Sequence, residues 1–196
     1  MKIFVLGCLI LGVMLNVTFA ESEHTHTSKY VGQEQRVIKS LSEEDLDELT
    51  AGGGWGLAKA AELNGVPGPA HILEMKAEIK LTPVQLQQIE ALYTTMREQA
   101  IPLGLELIEL EKQLNTHFAE RTISDALLRD LLENIAHTRA QLRYVHLSTH
   151  LKTPNILTSE QIALYNQLRG YSSNDPCANI PEGHNVEMWK KHNNCP

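Results

Sequence analysis

LTPVQLQQIEALYTTMREQAIPLGLELIELEKQL, residues 81–114, is the stretch that decides the fold. It opens with a helix start: Thr82 can accept from the backbone amide of Gln85 while the Gln85 side chain reaches back to the Thr82 amide, a reciprocal capping box. Leu81 precedes the cap, and Leu86 occupies the position where the other half of a hydrophobic staple belongs. Beyond it, apolar side chains fall at Leu86, Ile89, Tyr93, Met96, Ala100, Leu103, Leu107, Leu110 and Leu114, in alternating steps of three and four. That spacing predicts a helix of roughly 35 residues with a heptad seam. Leu92, Leu105 and Ile108 widen the seam, so the helix is expected to bury a flank as well. Pro102 lies inside it and should bend it.

The same start recurs in LTSEQIALYNQLRG, residues 157–170, where Thr158 and Gln161 repeat the box and Leu157 and Ile162 the staple. Between the two starts, Ser124 can cap a second long helix with Leu128, Leu131, Ile135, Leu142 and Val145 on one seam, ending before Pro154. A short connection at residues 119–122 predicts that the two long helices fold back on each other as an antiparallel hairpin. The expected fold is therefore all-α, with a third capped helix over residues 159–169 stopped by Gly170 and short helices flanking the hairpin. With the turn near Glu120 and Arg121, residues whose numbers sum to about 242 face one another. His146 is then expected near Met96, and His150 near Leu92.

Upstream, Ser42 followed by Glu43, Glu44 and Asp45 predicts a short helix over residues 43–49, which Gly52-Gly53-Gly54 breaks. Residues 56–63 are Ala-rich and expected to be helical, with Gly65 as the stop. Pro67-Gly68-Pro69 makes a stiff elbow, and Pro69 suits the first position of a helix running to about residue 79. Residues 21–41 are too polar to bury anything and read, with the short helix after them, as a flexible leader to residue 51. The helical domain is placed at residues 52–171 and a tail at residues 172–196.

The first 20 residues carry Lys2, then an apolar run over residues 3–17, then Thr18-Phe19-Ala20 with small residues where a signal peptidase reads. This is the layout of a secretory signal peptide cleaved after Ala20; the alternative is an uncleaved membrane anchor, since the run approaches the roughly 17 residues that span a bilayer. Cleavage takes Lys2 from the 17 Lys and Arg residues and leaves all 24 Asp and Glu, so the remaining protein is acidic. That balance argues against a nucleic acid partner. Cys8 leaves with the leader, and Cys177 and Cys195 remain as an even pair, read as one disulfide in an oxidising compartment.

Two LTxxQ boxes flanking a helical hairpin behind an export signal resemble the Spy/CpxP family of periplasmic proteins. The segment GLAKAAELNG at residues 56–65, with the Pro67-Gly68-Pro69 elbow and His71, is similar to the metal-resistance branch of that family. The resemblance implies a cradle-shaped helical homodimer that holds unfolded envelope proteins, engages a membrane sensor, or senses a transition metal. Spy-like chaperones present a basic concave face, whereas this chain is acidic.

Candidate metal ligands are sparse and paired. His146 and His150 stand at i and i+4, one turn apart on a helix face, a spacing that can clamp a metal. His71 and Met75 offer an imidazole and a thioether at the same spacing, a donor mix that suits copper, nickel or cobalt as well as zinc. Metal-sensing relatives use similar pairs. The alternative is local: Met75 fills the core and the histidines hydrogen-bond nearby. In the tail, His184, Met188 and His192 align at steps of four between Cys177 and Cys195, which with reduced thiols form a further candidate site. No catalytic motif occurs, and carboxylates such as Glu106, Glu109 and Glu111 follow the helix surface as solvating charge, so the chain reads as a binder and not an enzyme.

Overall fold

The computed structural model describes residues 27–171, 177, 180, 183–193 and 195. The expected signal peptide lies outside these residues. Among the described residues every regular element is helical, and no helix is long and apolar enough to cross a membrane.

Helix α1, Glu43–Ala51, starts on the Ser42–Asp45 capping box and ends at Gly52, whose φ of 67° is the left-handed conformation that stops a helix. Helix α2 covers only Lys59–Glu62, shorter than the Ala-rich run predicts. Trp55 explains the delay: its amide donates to Glu48 and its indole N–H to Asp45, which holds residues 55–58 in a turn. Helix α3, Pro69–Glu74, also ends early, five residues before the expected stop. The chain leaves the helix at Met75 and turns, so that Ile72 and Ile79 both enter one apolar cluster.

Helices α4, Pro83–Ala119, and α5, Asp125–Lys152, form the antiparallel hairpin. Each starts as its sequence predicts, on Thr82 and Ser124, and α4 continues through Pro102. Thr138 donates to Glu106 across the pair, and Thr149 to the Met96 sulfur. This register is shifted by two to three residues from the expected one, because the connection centres on Thr122 and not between Glu120 and Arg121. Met96, Ala100, Leu107, Ile135, Leu142 and Val145 from the two seams are buried together. Leu105, expected on a buried flank, is half exposed.

The leader is not wholly apart from this core. Ile38 and Leu41 are 3% and 4% exposed and belong to the main apolar cluster. Leu41 precedes the Ser42 cap and Leu46 follows it at the staple position, a third helix start of the same kind. The Lys39 amide donates to Asn115, the Asn115 amide group to the Val37 carbonyl, and the Ser40 hydroxyl to Glu111. The packed unit therefore begins near residue 37, not at residue 52. Two apolar side chains at helical spacing beside a cap are enough, despite the polar composition around them.

Helix α6, Ser159–Leu168, starts on the Thr158–Gln161 box, with Gly170 in the left-handed conformation beyond it. Tyr165 on this helix joins Ile72, Ile79 and Ile89 in a second cluster. In the tail, helix α7, Val186–His192, lies between Cys177 and Cys195, which are joined by a disulfide.

Candidate functional site

The two capped starts meet at the open end of the hairpin. In each, Thr accepts from the third amide on (Gln85 N to Thr82 Oγ, 3.2 Å; Gln161 N to Thr158 Oγ, 3.2 Å). The glutamine Oε1 accepts in return from the amide of its Thr. The free amide nitrogens then cross over: Gln85 Nε2 donates to Gln161 Oε1 at 2.8 Å, and Gln161 Nε2 to Gln85 Oε1 at 3.1 Å. Gln85 Nε2 also donates to the Ile156 carbonyl at 2.9 Å. Leu81 and Leu157 pack on the second apolar cluster beneath this pair. The motif is thus a joint that locks α4 to α6, each glutamine serving its own cap and the opposite one.

Three of the expected metal-site histidines line one cavity of about 480 Å³, together with Met96: His71 from α3, and His146 and His150 from α5. Met75 is not with them, because it packs on the second apolar cluster. His146 is 3% exposed and its Nε2 has no hydrogen-bond partner. Burial, and secondarily the neighbouring His150, pushes its pKa down, so the ring stays neutral. His150 shares a 2.8 Å hydrogen bond between Nδ1 and the Val66 carbonyl. Its Nε2 presses on Gly68, where a Cβ would come within 2.4 Å. His71 lies between Glu74 at 2.9 Å and Glu62 at 3.4 Å. The donor types suit a transition metal, but their placement does not close a ligand set: among the described residues no group of three or more His, Cys, Asp or Glu side chains is positioned to hold a metal ion.

Glu62 is a residue that sequence reasoning passes over. It accepts from Tyr171 at 2.8 Å, from Tyr165 at 3.4 Å and from Arg169, tying α2 to the end of α6. Burial works to raise its carboxyl, but the Tyr171 hydrogen bond, the His71 charge and Arg169 outweigh it and hold the group below the usual carboxylate range. Its one signal in the sequence is an acid set in an otherwise Ala-rich turn.

The tail residues stand apart from this cavity. Met188 is 72% exposed and His192 is exposed, while His184 contacts Trp189 edge-on. His184 precedes α7, so the three do not share one helix. The disulfide also removes Cys177 and Cys195 as thiolate donors.

On the hairpin itself a shallow groove of about 750 Å³ runs between α4 and α5, lined by residues including Gln99, Pro102, Leu103, Ala140, Gln141 and Tyr144. Tyr144 is 71% exposed and Leu151, about two helical turns further along α5, 74%.

A helical hairpin locked at its open end by two cross-paired Thr/Gln helix starts defines an all-helical, cap-joined architecture. A family model described as LTXXQ motif family protein matches residues 69–169, and the chain belongs to that family, of Spy/CpxP type. The matched span holds both boxes, the hairpin and the three cavity histidines. Comparison with curated proteins and with solved structures found no match.

Proposed function

We propose that this is an exported, periplasmic interaction protein of Spy/CpxP type, a homodimer that holds unfolded envelope proteins or a membrane sensor on its hairpin and has no enzymatic activity. The observation that carries the reading is the groove between Pro102-Leu103 and Ala140-Tyr144, with Tyr144 presented to solvent along its edge. Apolar and aromatic groups left in the open on a small helical protein are characteristic of surfaces that bind other chains. Aggregation of a reduced, denatured client, followed by light scattering at equimolar protein, tests it. Wild type should suppress scattering and Tyr144→Glu/Leu103→Glu should suppress less; absence of suppression by wild type would remove the chaperone reading.

A second reading is capture of zinc, copper, nickel or cobalt at His71, His146 and Met96, favoured by His146 Nε2, a buried imidazole nitrogen with no partner. His71 would have to leave Glu74 to join it. Calorimetry with each metal decides: identical isotherms for wild type and His146→Ala/His150→Ala would eliminate this site.

A further inference from the structure

The cavity bounded by the end of α1, the Gly52-Gly53-Gly54 loop, α3 and the hairpin is larger than a metal ion or a water needs. At about 480 Å³ it is in the range that takes one small organic molecule. Its chemical character is consistent throughout. Pro69, Tyr93 and Met96 give it an apolar wall. Asp47, Glu48, Glu62 and Glu74 line it, and no Lys or Arg does. Arg169 and His71 offset Glu62 and Glu74 in part, whereas Asp47 and Glu48 meet no basic side chain in the lining. The carbonyl end of α1 lies on the same side, where the Ala51 carbonyl accepts from the Arg97 guanidinium at 3.0 Å.

Against this wall lies His146, buried to 3% exposure with Nε2 unpartnered. Folded proteins leave few buried polar groups without a partner, because each costs about 1–3 kcal/mol. A site that retains one inside a roomy acidic cavity has a hydrogen bond to offer a ligand. A neutral imidazole there does not repel a cation.

We propose that this cavity binds a small amphipathic organic cation: an ammonium head at the Asp47 and Glu48 side, an apolar or aromatic body on Tyr93 and Met96, and a second polar group hydrogen-bonded to His146 Nε2. The proposal is independent of client holding, since the groove at Pro102 and Tyr144 shares no lining residue with this cavity.

Tyramine has all three parts and serves as the probe, with 4-hydroxyphenylacetate reversing the head charge and 4-ethylphenol removing it. The full exported chain is titrated in EDTA, to keep transition metals out, by calorimetry and by NMR of the histidine ring protons. Tyramine should shift the His146 ring signals and bind at least about tenfold more tightly than either analogue, a difference of about 1.4 kcal/mol. Asp47→Asn/Glu48→Gln, at two exposed positions, should weaken tyramine about fivefold and leave 4-ethylphenol unchanged. Equal binding of the three probes, no response at His146 in the wild type, or an unaltered tyramine affinity in the double variant would overturn the proposal.

Discussion

At the scale of single residues, the glutamines of the two boxes carry more than their local pattern announces. A capping box explains why position three of each helix holds a side chain that can accept from the cap amide, and Glu would serve as well as Gln. The cross-pairing explains the amide: Gln85 and Gln161 each donate to the other's Oε1, which two carboxylates cannot do. Gln161→Ala should therefore lower stability by about 1–3 kcal/mol in urea unfolding, more than an exposed cap residue alone, because Gln85 loses a partner in a half-buried site. Gln85→Glu/Gln161→Glu should lose more at neutral pH and regain stability as pH falls through the carboxylate range, since face-to-face carboxylates have raised folded pKa values. A pH-independent loss would mean the pair is not in contact. His146 gives the opposite slope. Its pKa is lowered in the fold from the usual 6.5, so the unfolded chain takes up a proton first, and the contribution present above that pH is lost as pH falls below it. His146→Gln should flatten the stability profile between about pH 7 and 5, measured by urea midpoints; a slope unchanged from wild type would place the titration elsewhere.

Among the elements, those with strong period and a cap are legible in the sequence: α4, α5 and α6 start where Thr82, Ser124 and Thr158 say they should. What is not legible there is where elements touch. Residues 37–41 read as polar leader because composition averages over the two side chains, Ile38 and Leu41, that reach the core. The cavity histidines are visible as pairs, but nothing local reveals that His150 is occupied by Val66 or that Met75 turns to the other cluster. The crossing of α1 on α4 shows the same limit. Gly104 sits within α4, where glycine ordinarily costs about 1 kcal/mol against Ala, so Gly104→Ala should stabilise an isolated helix. In the protein a Cβ there would lie 2.2 Å from the Leu49 carbonyl oxygen, and backbone cannot yield as a flexible side chain can. We expect the sign to reverse, with a loss of about 2 kcal/mol or more. Hydrogen exchange should show faster opening of α1; a stabilised variant would show that α1 does not pack against this turn.

For the whole molecule, the question is whether the disulfide-closed tail is part of the cooperative unit or an appendage to it. Both apolar clusters are built from residues up to Tyr171, and no tail residue enters either among the described residues. The Cys177–Cys195 bond spans 18 residues, a closure worth about 3 kcal/mol to whatever unit contains it. For a chain of this length each kcal/mol moves the thermal midpoint by about 2–4 °C. If tail and body unfold together, reduction should lower the midpoint by roughly 6–12 °C. If the body is complete without the tail, its midpoint should stay within about 1 °C, which is the outcome we expect from the distribution of buried side chains. Two tryptophans separate the cases, because Trp55 packs beside the main cluster and beneath Arg139 whereas Trp189 lies on α7. In a Trp189→Phe variant the fluorescence transition reports the body alone, and comparing it with and without dithiothreitol reads the coupling directly. A body transition that falls by the larger amount would make the tail an integral part of the fold and move the boundary of the packed unit from Tyr171 to the end of α7.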